Sequence, residues 1–211
     1  GDCYLISAMA TFADQKPDVI RRAIIANGDG TFTVRLYKRD ENGNLVPHDV
    51  IVDPRDHDGN HVSFGDSGSE SWPLLIEKAY AELYGGYDAI DKGGLSYNAM
   101  EALTGKESTV YEMDKLSMDD LSKFDENGYG LTTSSLRDGS QNDLYKNGVL
   151  VTKHAYYISD VNKENGTVTI RNPWGWPDSA SEVGANRGTL EITMTLEEFK
   201  QAFRYVAVNP G

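Results

Sequence analysis

Gly1-Asp2-Cys3-Tyr4-Leu5-Ile6-Ser7-Ala8-Met9-Ala10-Thr11-Phe12 places Tyr4, Leu5, Ala8, Met9 and Phe12 on one face of a helix, with Gly1-Asp2 as its entry. The only cysteine of the chain thus stands at a helix N-terminus. There the positive end of the macrodipole and the free backbone N–H groups favour a thiolate. A lone cysteine can equally be a small buried hydrophobe. To act as a nucleophile it needs a cationic partner and an orienting group from elsewhere in the chain. One cysteine also excludes an intramolecular disulfide and a multi-cysteine zinc site.

Outward from this segment, a second helix is predicted over Asp18 to Ala26, opened by Pro17 and closed by Asn27-Gly28. Thr31 to Tyr37 alternates as a strand, Asn42-Gly43 makes a turn, and Val50 to Val52 returns as a strand. Asp53 to Glu70 is polar and reads as a surface loop. Trp72 to Tyr84 carries Trp72, Leu75, Ile76, Ala79, Tyr80 and Leu83 at helical spacing and ends in Gly85-Gly86. Shorter helices are expected at Tyr97 to Leu103 and Ser117 to Phe124. Beyond Gly130 the pattern turns to strands, at His154 to Val161, Thr167 to Arg171, Thr189 to Thr193 and Tyr205 to Val208. Asn165-Gly166 is a hairpin turn, and one helix, Leu196 to Phe203, interrupts the strands. The expected fold is α+β, with a helical lobe over residues 1–108, an antiparallel β-rich lobe over 109–211 and a site in the cleft between them.

Three of the four histidines, His48, His57 and His61, lie in or beside the polar excursion and suit a solvated surface. His154 opens an apolar strand, where a side chain can face a cleft. Asn172, at the end of the next strand, can fix the tautomer of an imidazole, or be a plain turn residue before Pro173. Cys3 and His154 are 151 residues apart, close to the roughly 130–150 of papain-type cysteine proteases.

Four segments, in order, carry a resemblance to one family. Gly1-Asp2-Cys3-Tyr4-Leu5-Ile6-Ser7-Ala8 resembles the nucleophile segment of the calpain family, and Leu150-Val151-Thr152-Lys153-His154-Ala155-Tyr156 its histidine segment. Ile170-Arg171-Asn172-Pro173-Trp174-Gly175 resembles its asparagine motif, and Glu70 to Tyr80 is similar to the helix between them. The resemblance implies a papain-like, two-lobed cysteine endopeptidase core acting on protein or peptide substrates. In it Cys3 is the nucleophile, His154 the base and acid, Asn172 the group that orients His154, and Trp174 a shield over that hydrogen bond. Gly93 and Gly94 match a backbone stretch that lines the substrate groove. The oxyanion would be held partly by the Cys3 N–H; the family also uses a glutamine six residues before the cysteine, a position outside this sequence. The alternative implied is a catalytically impaired module that binds peptides without cleaving them. The resemblance also implies calcium, with Glu77 matching a ligand in the first lobe and Asp178, Glu182 and Glu191 falling near ligand positions in the second. Thr189 stands where a further acid is expected.

Composition narrows the alternatives. A net charge of −13 with no offsetting Lys/Arg run argues against nucleic acid and anionic lipid as partners. No apolar stretch approaches the roughly 20 residues of a membrane span, and no targeting segment is evident. Low cysteine usage suits the cytoplasm and equally a secreted, disulfide-free enzyme. Gly65-Asp66-Ser67-Gly68 looks like a trypsin-type serine segment, but His48, His57 and His61 lie too near it for a two-barrel enzyme. Asp53 to Gly59 suggests an EF-hand loop, but Pro54 and the missing flanking helices make it a turn.

Overall fold

The computed structural model describes residues 1–54, 72–175 and 189–211. These form an α+β fold with two antiparallel sheets. The first helix, α1, runs over Cys3–Gln15, a turn longer than the apolar face requires. The next, α2, spans Asp18–Ala23 and stops short of the expected Ala26. Ile24–Ala26 leaves it as strand β1, because Ile24 and Ile25, β-branched and stiff at χ1, pair with Val34 and Thr33 of β2 (Phe32–Arg39). Strand β3, Leu45–Val52, is longer than the expected 50–52 and contains Pro47. It lies at the edge of the β1-β2-β3 sheet, where a residue without an N–H is tolerated.

Helix α3, Trp72–Leu83, follows its apolar spacing. It ends where Gly86 donates its N–H to the Ala81 carbonyl, with Gly85 and Gly86 at φ +98° and +102°. Then come α4 (Tyr87–Ile90), α5 (Ser96–Thr104), β4 (Thr109–Glu112), α6 (Met118–Glu126) and β5 (Gly130–Ser135). After them lie α7 (Asp143–Lys146), β6 (Ala155–Asn162), β7 (Thr167–Arg171), β8 (Glu191–Thr195), α8 (Leu196–Ala202) and β9 (Phe203–Asn209). The second sheet has the order β4-β9-β5-β6-β7-β8. Its hairpin β6-β7 turns at Asn165-Gly166, with Gly166 at φ +67°. Helix α8 opens on a capping box between Thr195 and Glu198. Among the described residues, no helix is long and apolar enough to cross a membrane.

Two hydrophobic clusters underlie the sheets. The first gathers Leu5, Met9 and Phe12 of α1 with Val34, Leu36, Leu75, Ile76 and Met100. The second joins Leu121, Leu131, Ile158, Ile170, Phe199 and Val206. Helix α1 is tied to both sides: it packs in the first cluster, while Thr11 Oγ1 accepts the Leu131 N–H of β5 at 2.9 Å. Gly130 makes this approach possible, since a Cβ there would stand 2.7 Å from the fully buried Phe12 ring and 3.2 Å from Met100 Sδ. Gly130→Ala is expected to lose about 1–3 kcal/mol through overpacking, read as a lower urea midpoint at unchanged m-value.

Candidate active site

Cys3 is the first residue of α1. The helix's first internal bonds run from the Leu5 and Ile6 N–H groups to the Asp2 carbonyl, at 2.9 and 3.1 Å. Helix geometry therefore leaves the Cys3 N–H without an intrahelical acceptor, pointing off the end of the helix. The thiol is partly exposed and lines a cavity of about 280 Å³. His154, Trp174, Gly93 and Gly94 line the same cavity. Five of the residues singled out in the sequence thus share one space.

Asn172 approaches from behind. Strand β6 begins at Ala155 and β7 ends at Arg171, and the antiparallel register opposes Tyr157 to Arg171. His154 and Asn172 therefore leave the sheet at the same end. Asn172 Oδ1 lies 2.9 Å from His154 Nε2 and accepts the Trp174 N–H at 3.0 Å. A backbone N–H can only donate, which fixes that atom as the amide oxygen. Nε2 must then carry the proton, and Nδ1 is left with the lone pair. Both residues are buried. Burial pushes the His154 imidazole down to about 4, opposed by its hydrogen bond to Asn172. Trp174 lies against the His154 ring at 4.1 Å between centroids and is 40% exposed, so one face covers the imidazole and the other meets solvent.

The opposite wall is the segment from Ile90 to Leu95. Tyr4 anchors it: its hydroxyl donates to the Ile90 carbonyl at 3.0 Å, and its ring packs so closely on Gly94 that a Cβ there would stand 2.7 Å away. Gly93, at φ +98°, has open space where a side chain would project. A larger hollow of about 460 Å³ adjoins through Tyr4, Gly93, Gly94 and Leu95.

Several contributors carried no sequence signal. Ser135 Oγ accepts the His154 N–H at 2.8 Å, and the Tyr156 ring meets the imidazole edge-on. Ser96, Ser134 and Tyr205 also line the cavity. Lys153 stands out only in the fold, by a positive φ of +52°.

Of the residues matched to calcium ligands, Glu77 and Glu191 lie among the described residues. Asp178 and Glu182 lie outside the described residues, as do His57, His61, Gly65-Asp66-Ser67-Gly68 and most of the Asp53 to Gly59 string. Glu191 sits opposite Arg171 and pairs with it at 3.4 Å. Thr189 is exposed, with its N–H on the Val149 carbonyl. Glu77, on α3, is pushed up to about 7 by burial and by the nearby carboxylates of Asp2 and Asp91. Among the described residues no three metal-ligating side chains are grouped for a metal ion. These residues do not by themselves fit a calcium site.

Comparison with known proteins gives one consistent result. The sequence profile of the calpain family of cysteine proteases matches residues 1–208. The human calpain-1 catalytic subunit is 28% identical over 236 residues, covering 97% of this chain and 32% of that protein. The calpain-type cysteine protease DEK1 of Arabidopsis thaliana is 32% identical over 210 residues, covering 86% of this chain and 9% of that protein. That of Zea mays is 32% identical over 207 residues with the same coverage. The chain therefore spans about a third or less of the length of these relatives.

Proposed function

From the fact that the chain belongs to the calpain family of cysteine proteases, we propose that it is a two-lobed, papain-like endopeptidase core hydrolysing peptide bonds of protein substrates. The lobes would be residues 1–108 and 109–211, each around one of the two hydrophobic clusters. The observation that carries the reading is the His154–Asn172 hydrogen bond of 2.9 Å in the wall of a cavity that Cys3 also lines.

In this reaction Cys3 Sγ attacks the scissile carbonyl carbon while its proton passes to His154 Nδ1. The Cys3 N–H, free at the helix end, faces the developing oxyanion. Collapse breaks the C–N bond, the imidazolium gives its proton to the leaving amine, and a thioester remains on Cys3. Water then attacks the thioester, passing a proton to Nδ1, and the thiol leaves with that proton as the carboxylic acid departs. Asn172 holds the ring so that Nδ1 faces the sulfur throughout, and Trp174 keeps water from competing for the Nε2 hydrogen bond. Burial disfavours an isolated imidazolium, so the charged ring forms only alongside the thiolate it has deprotonated.

A cavity that merely holds peptides would not activate the sulfur, which separates this reading from a silent binding module. Iodoacetamide is expected to alkylate Cys3 at about pH 6 more than tenfold faster than a small free thiol, and His154→Ala to remove the acceleration. A parent rate no faster than the free thiol's would favour the binding module.

A further inference from the structure

We propose that Lys153 makes the cavity selective for substrate segments with acidic side chains beside the scissile bond. This rests on the proteolytic reading above and names the substrate class of the same site. Among the described residues, Lys153 is the one non-glycine residue with a positive φ. It immediately precedes His154, is exposed, and lines the cavity.

Its backbone has little freedom to relax. The Lys153 N–H donates to the Leu136 carbonyl at 3.0 Å; the His154 N–H donates to Ser135 Oγ at 2.8 Å and the His154 carbonyl accepts the Ser135 N–H at 2.9 Å. The chain is held on both sides of the left-handed residue as it enters β6. Glycine would make this turn without steric penalty, so the backbone gives no reason for a long cationic side chain here. Strain retained beside a reacting group points to a use for the side chain that carries it.

The surroundings say what that use is. Among the described residues that line the cavity, the one basic side chain besides His154 is Lys153 and the one acidic side chain is Asp91. Among the described residues the Lys153 ammonium has no ion-pair partner. A chain of net charge −13 repels acidic peptides at long range. An unpaired side-chain cation at this wall reverses that preference locally, over roughly the 8–10 Å that salt leaves unscreened.

The test uses fluorogenic peptides identical except for Asp, Ala or Lys at the positions flanking the cleaved bond. The parent is expected to show a higher kcat/KM for Asp than for Lys peptides. Lys153→Ala and Lys153→Gly should each lower that ratio by about three- to fivefold at low ionic strength, and Lys153→Glu should lower it further. About 0.5 M salt should compress the parent's ratio toward that of the alanine variant. The melting temperature separates charge from backbone, since Lys153→Gly should exceed Lys153→Ala while losing the same selectivity. A ratio unchanged in all three variants would overturn the inference. Binding of the same peptides to the Cys3→Ala protein, followed by fluorescence anisotropy, reads the Asp-to-Lys preference without turnover. A protein that cleaves nothing but retains a Lys153-dependent preference would therefore sink the proteolytic reading and leave this one standing.

Discussion

Cys3→Ala is expected to lower kcat for peptide hydrolysis by about 10⁵–10⁶, the scale seen when a protease nucleophile is removed, with little change in melting temperature. The two effects separate because Cys3 is partly exposed, so deleting its sulfur opens no sealed cavity in the core. The helix it begins is held by Leu5, Ala8, Met9 and Phe12, all buried, and those contacts survive. His154→Ala should cost about as much, and the double variant scarcely more, because in the proposed mechanism nucleophile and base act as one unit. Asn172→Ala should lose less, since the base remains and only its orientation is released. It should also destabilise the fold, because His154 Nε2–H would lose its acceptor in a buried place and the Trp174 N–H in a partly buried one. Undiminished turnover by Cys3→Ala would end the covalent mechanism outright.

The candidate site was largely legible because the residues proposed for its chemistry sit at element ends. Cys3 precedes an unbroken apolar face, His154 precedes an alternating strand, and Asn172 precedes a proline that stops the next one. Each position follows from local periodicity, and antiparallel pairing then brings the last two to the same end of a sheet. What the sequence could not supply were contacts made by residues without distinctive neighbours. Ser135 supports His154 through a bond of 2.8 Å across 19 positions, and nothing in Ser134-Ser135 announces it. Strand β5 escaped notice for the same reason: Thr132, Thr133 and Ser135 are wholly buried in it, polar residues whose burial is explained only by partners such as Ser96 Oγ, 2.8 Å from Thr132 Oγ1.

The errors at boundaries have equally specific causes. Helical periodicity carried Ile24 and Ile25 into α2, yet their pairing with β2 is tertiary and outweighs a weak local preference. Pro47, His48 and Asp49 disguised half of β3, because an edge strand with one face in water needs little hydrophobic alternation. The calcium expectation rests on residue type and position alone, and among the described residues no three metal-ligating side chains are grouped. Glu191 was judged by type and position, while its ion pair with Arg171 depends on the register between β7 and β8.

The other large effect expected is on stability against pH, where two buried groups pull in opposite directions. For His154 the folded value of about 4 lies below the ordinary 6.5. As pH falls from 6.5 to 4, the unfolded chain takes up a proton that the folded protein refuses, so stability drops. The full loss is about 3 kcal/mol, from some 2.5 pH units at 1.36 kcal/mol each, or about 6–12 °C in melting temperature for a chain of this size. Glu77 has the reverse sign. Its folded value of about 7 exceeds the ordinary 4.5, so stability is present at low pH and is lost as pH rises through that window. Its partial exposure makes this slope the shallower one. Glu77→Gln should therefore steepen the parent's decline between pH 6.5 and 4.5, and His154→Ala should expose the opposite trend; subtracting each curve from the parent's cancels the carboxylates that both share. A Glu77→Gln protein whose melting temperature matched the parent's throughout that range would refute the opposed pair.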